Sequence, residues 1–393
     1  MPNPDHKMPM KACMVAYTFY EIDGRVRRYA EALAEQGAGV DVYSLKEPGQ
    51  PDREDMNGVR IHRIQTRVQN EKSPFTYLAK LLLFLFRSSV VLTKNSFGKR
   101  YDVIHVHSVP DFEVFAALIP KLMGSKVILD IHDIVPEFYA SKFNRGKDSL
   151  VFKTLKFMEK LSIAFSNHVI IANHIWRETL LSRSVKPGKC TVIMNSPDIS
   201  IFHKYPRTRD DGKFVMVYPG SLNWHQGVDV AIRAFEKIAG KFPQAEFRIY
   251  GDGGEKDALL ELIRELNLSD RVLFLGLKPI HEVAHIMAEA DLGVVPKRAA
   301  AFGNEAFSTK IPEFMAVGVP VLASSTTIDR YYFNDSQILF FRSEDVDDLA
   351  SKMGTLINDS QLRSRLVECG DAFIRDNNWD VKKEDYFDLI RSL

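Results

Sequence analysis

The sequence predicts an α/β protein built from two doubly wound domains, and three observations carry that reading. At roughly 150 residues per domain, 393 residues call for two or three domains. Short runs of β-branched and apolar residues recur along the chain, each followed by a helical pattern, which is the signature of βαβ units. The alternation fills the first half, breaks once and restarts near Phe214. Right-handed crossovers then wind each half into a parallel sheet with helices on both faces.

Taken in order, strands are expected at 12–19, 40–45, 59–64, 102–107, 126–130, 168–172 and 191–194 in the first half. In the second half they are expected at 214–218, 246–250, 272–275, 292–295, 320–323 and 338–341. Several are apolar throughout rather than alternating, as a strand buried on both faces requires. The break runs from Asn195 to Gly212. It is polar, carries two prolines and has no period, so it reads as a linker or hinge. The expected organisation is a first domain over 1–198, a linker over 199–212, a second domain over 213–375, and a C-terminal helix over 376–393 that could pack back on the first domain. Two such halves joined at one hinge face each other across a cleft, and ligands of open parallel sheets bind beyond the carboxyl ends of the strands.

Composition narrows the function classes. Apolar residues make up 45% and charged residues 26%, ordinary values that exclude disordered, collagen-like and coiled-coil chains. A net charge of +1 gives no footprint for nucleic acid. The average hides an asymmetry: residues 1–200 hold 28 Lys and Arg against 21 Asp and Glu, a net +7, and residues 201–393 hold 24 against 30, a net −6. Different partners for the two halves are expected. Cys13, Cys190 and Cys369 are too few and too scattered for a disulfide framework or a zinc site, and reduced thiols in a cytosolic protein are expected. Residues 1–11 are polar and do not read as a leader. No segment is expected to reach the roughly 20 apolar residues that cross a bilayer, the longest pure run being 81–86. A cytoplasmic protein, soluble or peripheral on the inner face of the cell membrane, is the expectation.

The stretch from Phe302 to Val321, FGNEAFSTKIPEFMAVGVPV, is the most informative. It follows the strand ending at Val295; Ser308 is a good N-cap for a helix that tolerates Pro312 in its first turn, and Gly318 ends that helix. Residues 303–307 then form a loop at a helix N-terminus, where free N–H groups favour a phosphate. Glu305 in the loop and Glu313 in the helix could serve the cleft and a ribose diol. A loop carboxylate beside an ordinary amphipathic helix is the plainer alternative, and spacing alone does not choose.

Glu305-x₇-Glu313, in its loop–helix–Gly-x-Pro-Val setting, resembles the E-x₇-E signature of family 4 retaining glycosyltransferases, whose GT-B fold is two Rossmann-like domains facing across a cleft. The likeness spans nearly the whole chain. It includes YTFYEIDG from Tyr17, DVIHVH from Asp102, DIHD from Asp130, YPGSLNWHQG from Tyr218, YGDG from Tyr250 and ADLGVVP from Ala290. The resemblance implies transfer of a sugar from a nucleoside-diphosphate sugar to an acceptor hydroxyl with retention, without a protein nucleophile. The protein then positions reactants and stabilises charge on the departing diphosphate. It also implies roles for particular residues. Glu313 would hold the ribose, Glu305 the donor sugar, and the amides of Ala306, Phe307 and Ser308 the diphosphate. His132, at a strand's carboxyl edge, would bond the donor sugar near the reacting carbon, unless it is only a histidine satisfied by backbone or by Asp133. His105 and His107 are expected on opposite faces of their strand, with His107 nearer its end and a structural role favoured.

One departure from the family pattern matters. The loop after the first second-domain strand usually carries an Arg and a Lys that neutralise the diphosphate, and here Ser221 and Gln226 stand in their places. Both can form hydrogen bonds, but charge-assisted bonds are roughly twice as strong as neutral ones. Compensation is expected from Lys310 first, then from Lys297 and Arg298, against a reading of all three as surface charge. Gly24, at a strand-to-helix turn, could let backbone approach a ligand. The glycines from Gly251 to Gly254 lack the dinucleotide spacing. Asp345 and Asp347 resemble a metal motif only in letters, since a helix starting near Ser343 explains them. No cofactor and no essential metal are expected.

Ser73 and Pro74 start a helix whose heart is LLLFLF from Leu81. Lys80, Arg87 and Lys94 make one basic stripe on it, and from Lys72 to Arg100 there are six basic residues and no acid. A second stretch, from Lys142 to Lys160, holds six more cations against Asp148 and Glu159. Such a helix, over 73–100, can lie in the headgroups of an anionic membrane or pack on the first sheet with its cations snorkelling. The partners expected are thus a nucleotide-sugar donor, a glycan or lipid-linked acceptor of cell-surface glycan synthesis, an anionic membrane, and no nucleic acid. Two competing readings are a sugar-nucleotide epimerase on the same fold, for which no second carboxylate pair is found, and a non-catalytic nucleotide-sugar-binding relative.

Overall fold

The structure, a computed structural model, describes residues 10–67, 74–98, 100–142 and 148–393. The chain forms two compact units, Met1–Met194 with Lys383–Leu393, and Asn195–Lys382. In the first unit the strands are β1 Lys11–Ala16, β2 Gly39–Lys46, β3 Arg53–Met56, β4 Val59–Thr66, β5 Val103–His107, β6 Lys126–Ile131, β7 His168–Ile171 and β8 Cys190–Val192. They lie in the order β3-β4-β2-β1-β5-β6-β7-β8, all parallel except for β3 on β4. The second unit has β9 Phe214–Pro219, β10 Ala245–Tyr250, β11 Val272–Phe274, β12 Leu292–Val295, β13 Val321–Ser324 and β14 Leu339–Phe341. Its order, β11-β10-β9-β12-β13-β14, is that of a doubly wound sheet. Each sheet therefore reverses direction at one place, between β1 and β5 and between β9 and β12, and ligands of such sheets bind at that crevice.

The thirteen expected strands are present to within a few residues. The extra one, β3, is an exposed Arg-Glu-Asp-Met edge with no apolar pattern to betray it. Buried residues such as Val15, Val106, Leu129 and Ile170 fill β1, β5, β6 and β7 from end to end, which is why those runs do not alternate. Asp23 caps the helix α1, Gly24–Glu35, its carboxylate accepting from the Arg25 and Val26 amides at 3.1 Å each. Cys13 and Cys190 are buried, Cys369 is half-buried, and all three are free thiols.

One expectation about the joins needs correction. The stretch 199–212 is not a free linker. Phe202 is buried in the second unit's core with Ile199, Ile201 and Tyr205 against it. Asp291 pairs with Arg207 and Arg209, and Glu289 accepts from Thr208. Four apolar side chains in a polar stretch were the signal. The final helix is Trp379–Ser392, and from Lys383 onward it belongs to the first unit. There Tyr386 is wholly buried, its ring 4.4 Å from that of Tyr29.

The apolar helix α2 is Pro74–Ser96. The expected start at Ser73, and the cations Lys72, Lys99, Arg145 and Lys147, lie outside the described residues. Leu81, Phe84, Ser88 and Leu92, at helical spacing, are its buried face, and Arg87 donates to the Ile64 carbonyl at 2.7 Å. Phe75, Leu78, Leu82, Leu83 and Phe86 are exposed. The expectation that no segment could cross a bilayer is corrected here: residues 75–96 are long and apolar enough by length and composition, with a mean hydropathy of 1.6. In this fold the helix instead lies against the domain along one face.

Glu113 sits under α2 beside Ser88, with no exposed surface. Burial pushes its carboxyl up to about 8, against a weaker pull from Ser88. An unfolded chain releases this proton near 4.5 while the folded one keeps it, so the folded state loses stability as pH rises from about 4.5 to 8. Glu113→Gln should therefore raise the melting temperature at pH 7, with the gain near zero at pH 4 and level above about 8. Equal melting curves across that range would show an ionised, hydrated Glu113.

Candidate active site

In the second unit the loops after β9, β10 and β12 meet backbone to backbone, and two glycines make that possible. Gly251, with φ at 146°, would put a Cβ 1.8 Å from the Gly220 carbonyl oxygen. Gly227, with φ at 66°, would put one 2.1 Å from that of Pro296. Only glycine fits such approaches. Ser221 is exposed on this floor, and its carbonyl accepts from the buried Tyr218 hydroxyl at 2.7 Å. Gln226 is half-buried, its Oε1 3.2 Å from the ammonium of Lys310. Lys310 also lies over the Tyr218 ring, 5.4 Å from its centre, and a Cβ at Gly220 would strike its Cε at 2.3 Å. The cation missing from the β9 loop is thus delivered to the same place by the helix Lys310–Ala316. Burial pushes Lys310 down to about 8, while the Glu313 carboxylate pulls the other way.

The other two candidate cations are spent. Lys297 is buried, 3.0 Å from Asp329 and 2.7 Å from the Ala306 carbonyl. Arg298 is buried and forked onto Asp229 at 2.7 and 3.0 Å, with Glu344 at 3.0 Å and the Trp224 ring beneath it. Neither is the surface charge considered from sequence, and Arg298 braces the loop rather than offering free charge to a ligand. The 303–307 loop is also corrected: Ala301–Glu305 is a short helix, so Glu305 closes it. The Ala306 amide bonds Phe302 at 3.0 Å and is not available to an anion. Among the described residues no acceptor is found for the amides of Phe307 and Ser308. Thr309, not Ser308, stands at the N-cap, and the buried Ser308 hydroxyl has no partner among the described residues. Glu305 and Glu313 are both half-buried. Asp345, rather than Ser343, caps the helix Val346–Asn358, and Asp347 pairs with Lys237.

In the first unit the centre is Asp130, at the end of β6 and 0% exposed. Arg25 of α1 grips both its oxygens at 2.7 and 2.8 Å and donates to the Ile193 carbonyl at 2.9 Å. His132 Nε2 is 3.1 Å from Asp130 and 3.2 Å from His107 Nδ1, and His107 is itself 3.2 Å from Asp130. His132 thus leans on Asp130 rather than on Asp133. Its side chain keeps 20% of its surface exposed, and it lines a cavity with Tyr17, Arg67 and Tyr77. His105 and His107 share a face, their rings stacked at 4.1 Å; residues two apart on a strand always do, so the expectation of opposite faces fails. Both are neutral, since burial drives His107 down to about 3 and lowers His105. His105 Nδ1 meets the Tyr386 hydroxyl at 3.0 Å. Gly24 has open space where a Cβ would go, so no backbone approach requires it to be glycine.

The structure therefore gathers Ser221, Gln226 and Lys310 at one point and seats His132 on a charge network. Sequence reasoning missed Arg25 and gave Asp130 no role of its own, yet an acid ending the apolar run KVILD has to find a buried cation. The Arg25 guanidinium, with desolvation opposing, holds Asp130 well below the usual carboxylate range. Asp130→Ala leaves that guanidinium buried and unpaired, and the expected cost is about 3–5 kcal/mol in denaturant unfolding at neutral pH. A cost below about 1 kcal/mol would mean that water reaches Arg25.

Residues 22–196 match the family model "Glycosyl transferase 4-like domain" and residues 202–372 match "Glycosyl transferases group 1". An uncharacterized glycosyltransferase of Methanocaldococcus jannaschii is 28% identical over 317 residues, 75% of this chain and 74% of that one. Among solved structures, sucrose-phosphate synthase of Thermosynechococcus elongatus superposes with a TM-score of 0.79 at 20% identity, over 97% of this chain and 98% of that one. Anabaena HepE, solved with UDP-glucose, gives 0.71 at 17% identity, over 98% and 100%. With both units matched in order by family models and the GT-B fold shared along the chain, the protein belongs to the family 4 glycosyltransferases.

Proposed function

We propose that this glycosyltransferase takes its sugar from a nucleoside diphosphate, retains configuration, and acts on a lipid-linked or polysaccharide acceptor in cell-surface glycan synthesis. The observation that carries the reading is Lys310, 3.2 Å from Gln226 over the Gly220 turn. A diphosphate needs fixed positive charge at the crevice of a doubly wound sheet, and this lysine supplies it where the β9 loop has none. The amides of Phe307 and Ser308 add donors, Glu313 would hold the ribose, and Glu305 would hold the sugar. HepE, with the same fold, was solved with UDP-glucose. In the first unit His132, oriented by Asp130, would bond the donor sugar near the reacting carbon. The departing phosphate accepts the acceptor's proton, so the protein contributes positioning and charge rather than a nucleophile. No metal step is proposed. The cluster with ligand spacing, His105, His107 and Asp130, has its carboxylate clasped by Arg25, whose charge repels a cation.

The same reading gives α2 a partner. Its exposed Phe75, Leu78, Leu82, Leu83 and Phe86 lie on a helix with Lys80, Arg87 and Lys94 and no acid. Leu150, Val151, Phe157 and Leu161 are exposed on the basic helix Leu150–Phe165 of the same unit. Such a surface suits the headgroup layer of an anionic membrane, where each exposed Leu or Phe that inserts contributes roughly 1.5–3 kcal/mol.

Three measurements test this. Screening UDP, GDP and ADP for thermal stabilisation should find one that raises the melting temperature. Affinity for that nucleotide should fall as pH rises through about 8, as Lys310 loses its proton. Lys310→Ala should bind roughly ten- to a hundredfold more weakly with a flat profile from pH 7 to 9, whereas Lys297→Ala should chiefly lower the melting temperature. Equal, small effects of both would remove Lys310 from the diphosphate site. Finally, the full chain should sediment with phosphatidylglycerol vesicles and not with phosphatidylcholine alone. Replacing Leu82 and Phe86 by Ser should weaken this at least tenfold; unchanged binding would place the membrane elsewhere.

A further inference from the structure

In the first unit three histidine rings surround one carboxylate, Asp130, and the neighbours of two of them dictate which nitrogen carries the proton. His105 is the most deeply placed, and its Nδ1 lies 3.0 Å from the hydroxyl of Tyr386. That tyrosine has no exposed surface and comes from the final helix, 281 residues further along the chain. Burial keeps its phenol protonated, and a buried hydroxyl has to find an acceptor. Among the described residues His105 Nδ1 is its one hydrogen-bond partner, so Tyr386 donates and Nδ1 accepts.

A neutral imidazole has one nitrogen that donates and one that accepts, and burial keeps His105 neutral. The His105 proton therefore sits on Nε2, 3.7 Å from Asp130 Oδ2. The opposite tautomer would leave the phenol without an acceptor and turn a bare lone pair toward a carboxylate. Tyr386 thus selects the tautomer of His105. His107, stacked on His105 at 4.1 Å, obeys the same logic. Its Nε2 is buried with no partner among the described residues, and its Nδ1 stands 3.2 Å from Asp130 Oδ2, so the proton is on Nδ1. The same oxygen also accepts from Arg25 Nε at 2.8 Å, which leaves each ring little room. His132 comes last, its Nε2 3.1 Å from that oxygen and 3.2 Å from His107 Nδ1. It is the ring of the three that keeps an open edge.

We infer that Tyr386 is a positioning residue for sugar transfer: it sets the His105 proton, His105 and His107 fill the space behind Asp130, and His132 is left with one ring direction toward its cavity. The inference rests on the glycosyltransferase reading, and extends the site to a buried hydroxyl of the final helix.

Nitrogen NMR of the imidazole rings, with turnover of UDP-glucose measured alongside, tests it on the full chain. His105 should appear as the Nε2–H tautomer. Tyr386→Phe removes the hydroxyl and keeps the ring; it should abolish that fixed tautomer and shift the His132 signals, while rings outside the network stay. It should lower kcat about tenfold and leave the donor KM within twofold. In a His132→Ala background Tyr386→Phe should cost nothing further, because its effect passes through that ring. An Nδ1–H tautomer of His105 in the unaltered protein, His132 signals indifferent to Tyr386→Phe, or losses that add in the double variant would each overturn the inference. Should Tyr386→Phe fail to fold, the His105 tautomer of the unaltered protein decides. The failures separate: no turnover by the unaltered protein counts against the donor reading and leaves the network to the nitrogen spectra, whereas turnover with additive losses removes Tyr386 alone.

Discussion

A carboxylate with no exposed surface, Asp130, is the constraint on which the first unit's chemistry depends. A buried ion is tolerated only when its charge is matched and its lone pairs are filled. Arg25 does both, and in doing so ties α1 to the end of β6 and, through the Ile193 carbonyl, to the end of the sheet. With the charge balanced, His107 and His132 can both lean on the same carboxylate oxygen. His132 gains a fixed ring direction while its outer edge stays open to the cavity. The stacked His105 and His107 and the buried Tyr386 close the network from behind, which explains why the last helix ends in the first unit.

On the proposed reading the second unit meets the opposite demand, which is to hold an anion rather than to bury one. Its floor is three loops pressed together at glycine positions, so the backbone there cannot give way. Family members place two cations on the first of those loops, and this chain places none. Lys310 reaches the same spot from a different element. Lys297 and Arg298 stand next in line by sequence position, but both are neutralised by carboxylates that come from distant residues, Asp329, Asp229 and Glu344. Which lysine is left over is decided by packing.

The helix α2 shows a third balance. Composition alone makes it long and apolar enough for a bilayer, yet one face is committed to the domain core through Leu81, Phe84 and Leu92. What remains outside is an apolar face with a basic border and a tyrosine pointing at the arginine beside His132.

Much of the architecture was legible in the order of residues. Thirteen strands announced themselves as apolar runs because both faces of each sheet are covered, and burial on both faces is a property of the strand's own composition. The E-x₇-E stretch and the His132 loop could be read for the same reason, since each sits at the end of such a run. The edge strand β3 carried no hydrophobic signal, and the 199–212 stretch looked like a linker until its four apolar side chains were seen in the second core. The partners of charges could not be read at all. Arg25 lies 105 residues from Asp130 and Lys310 84 from Gln226, and no local pattern encodes a pairing over such separations. Sequence determined where chemistry could sit, at strand ends; the tertiary structure alone decided which charges stay available there, because a charge is cancelled by whatever folds against it.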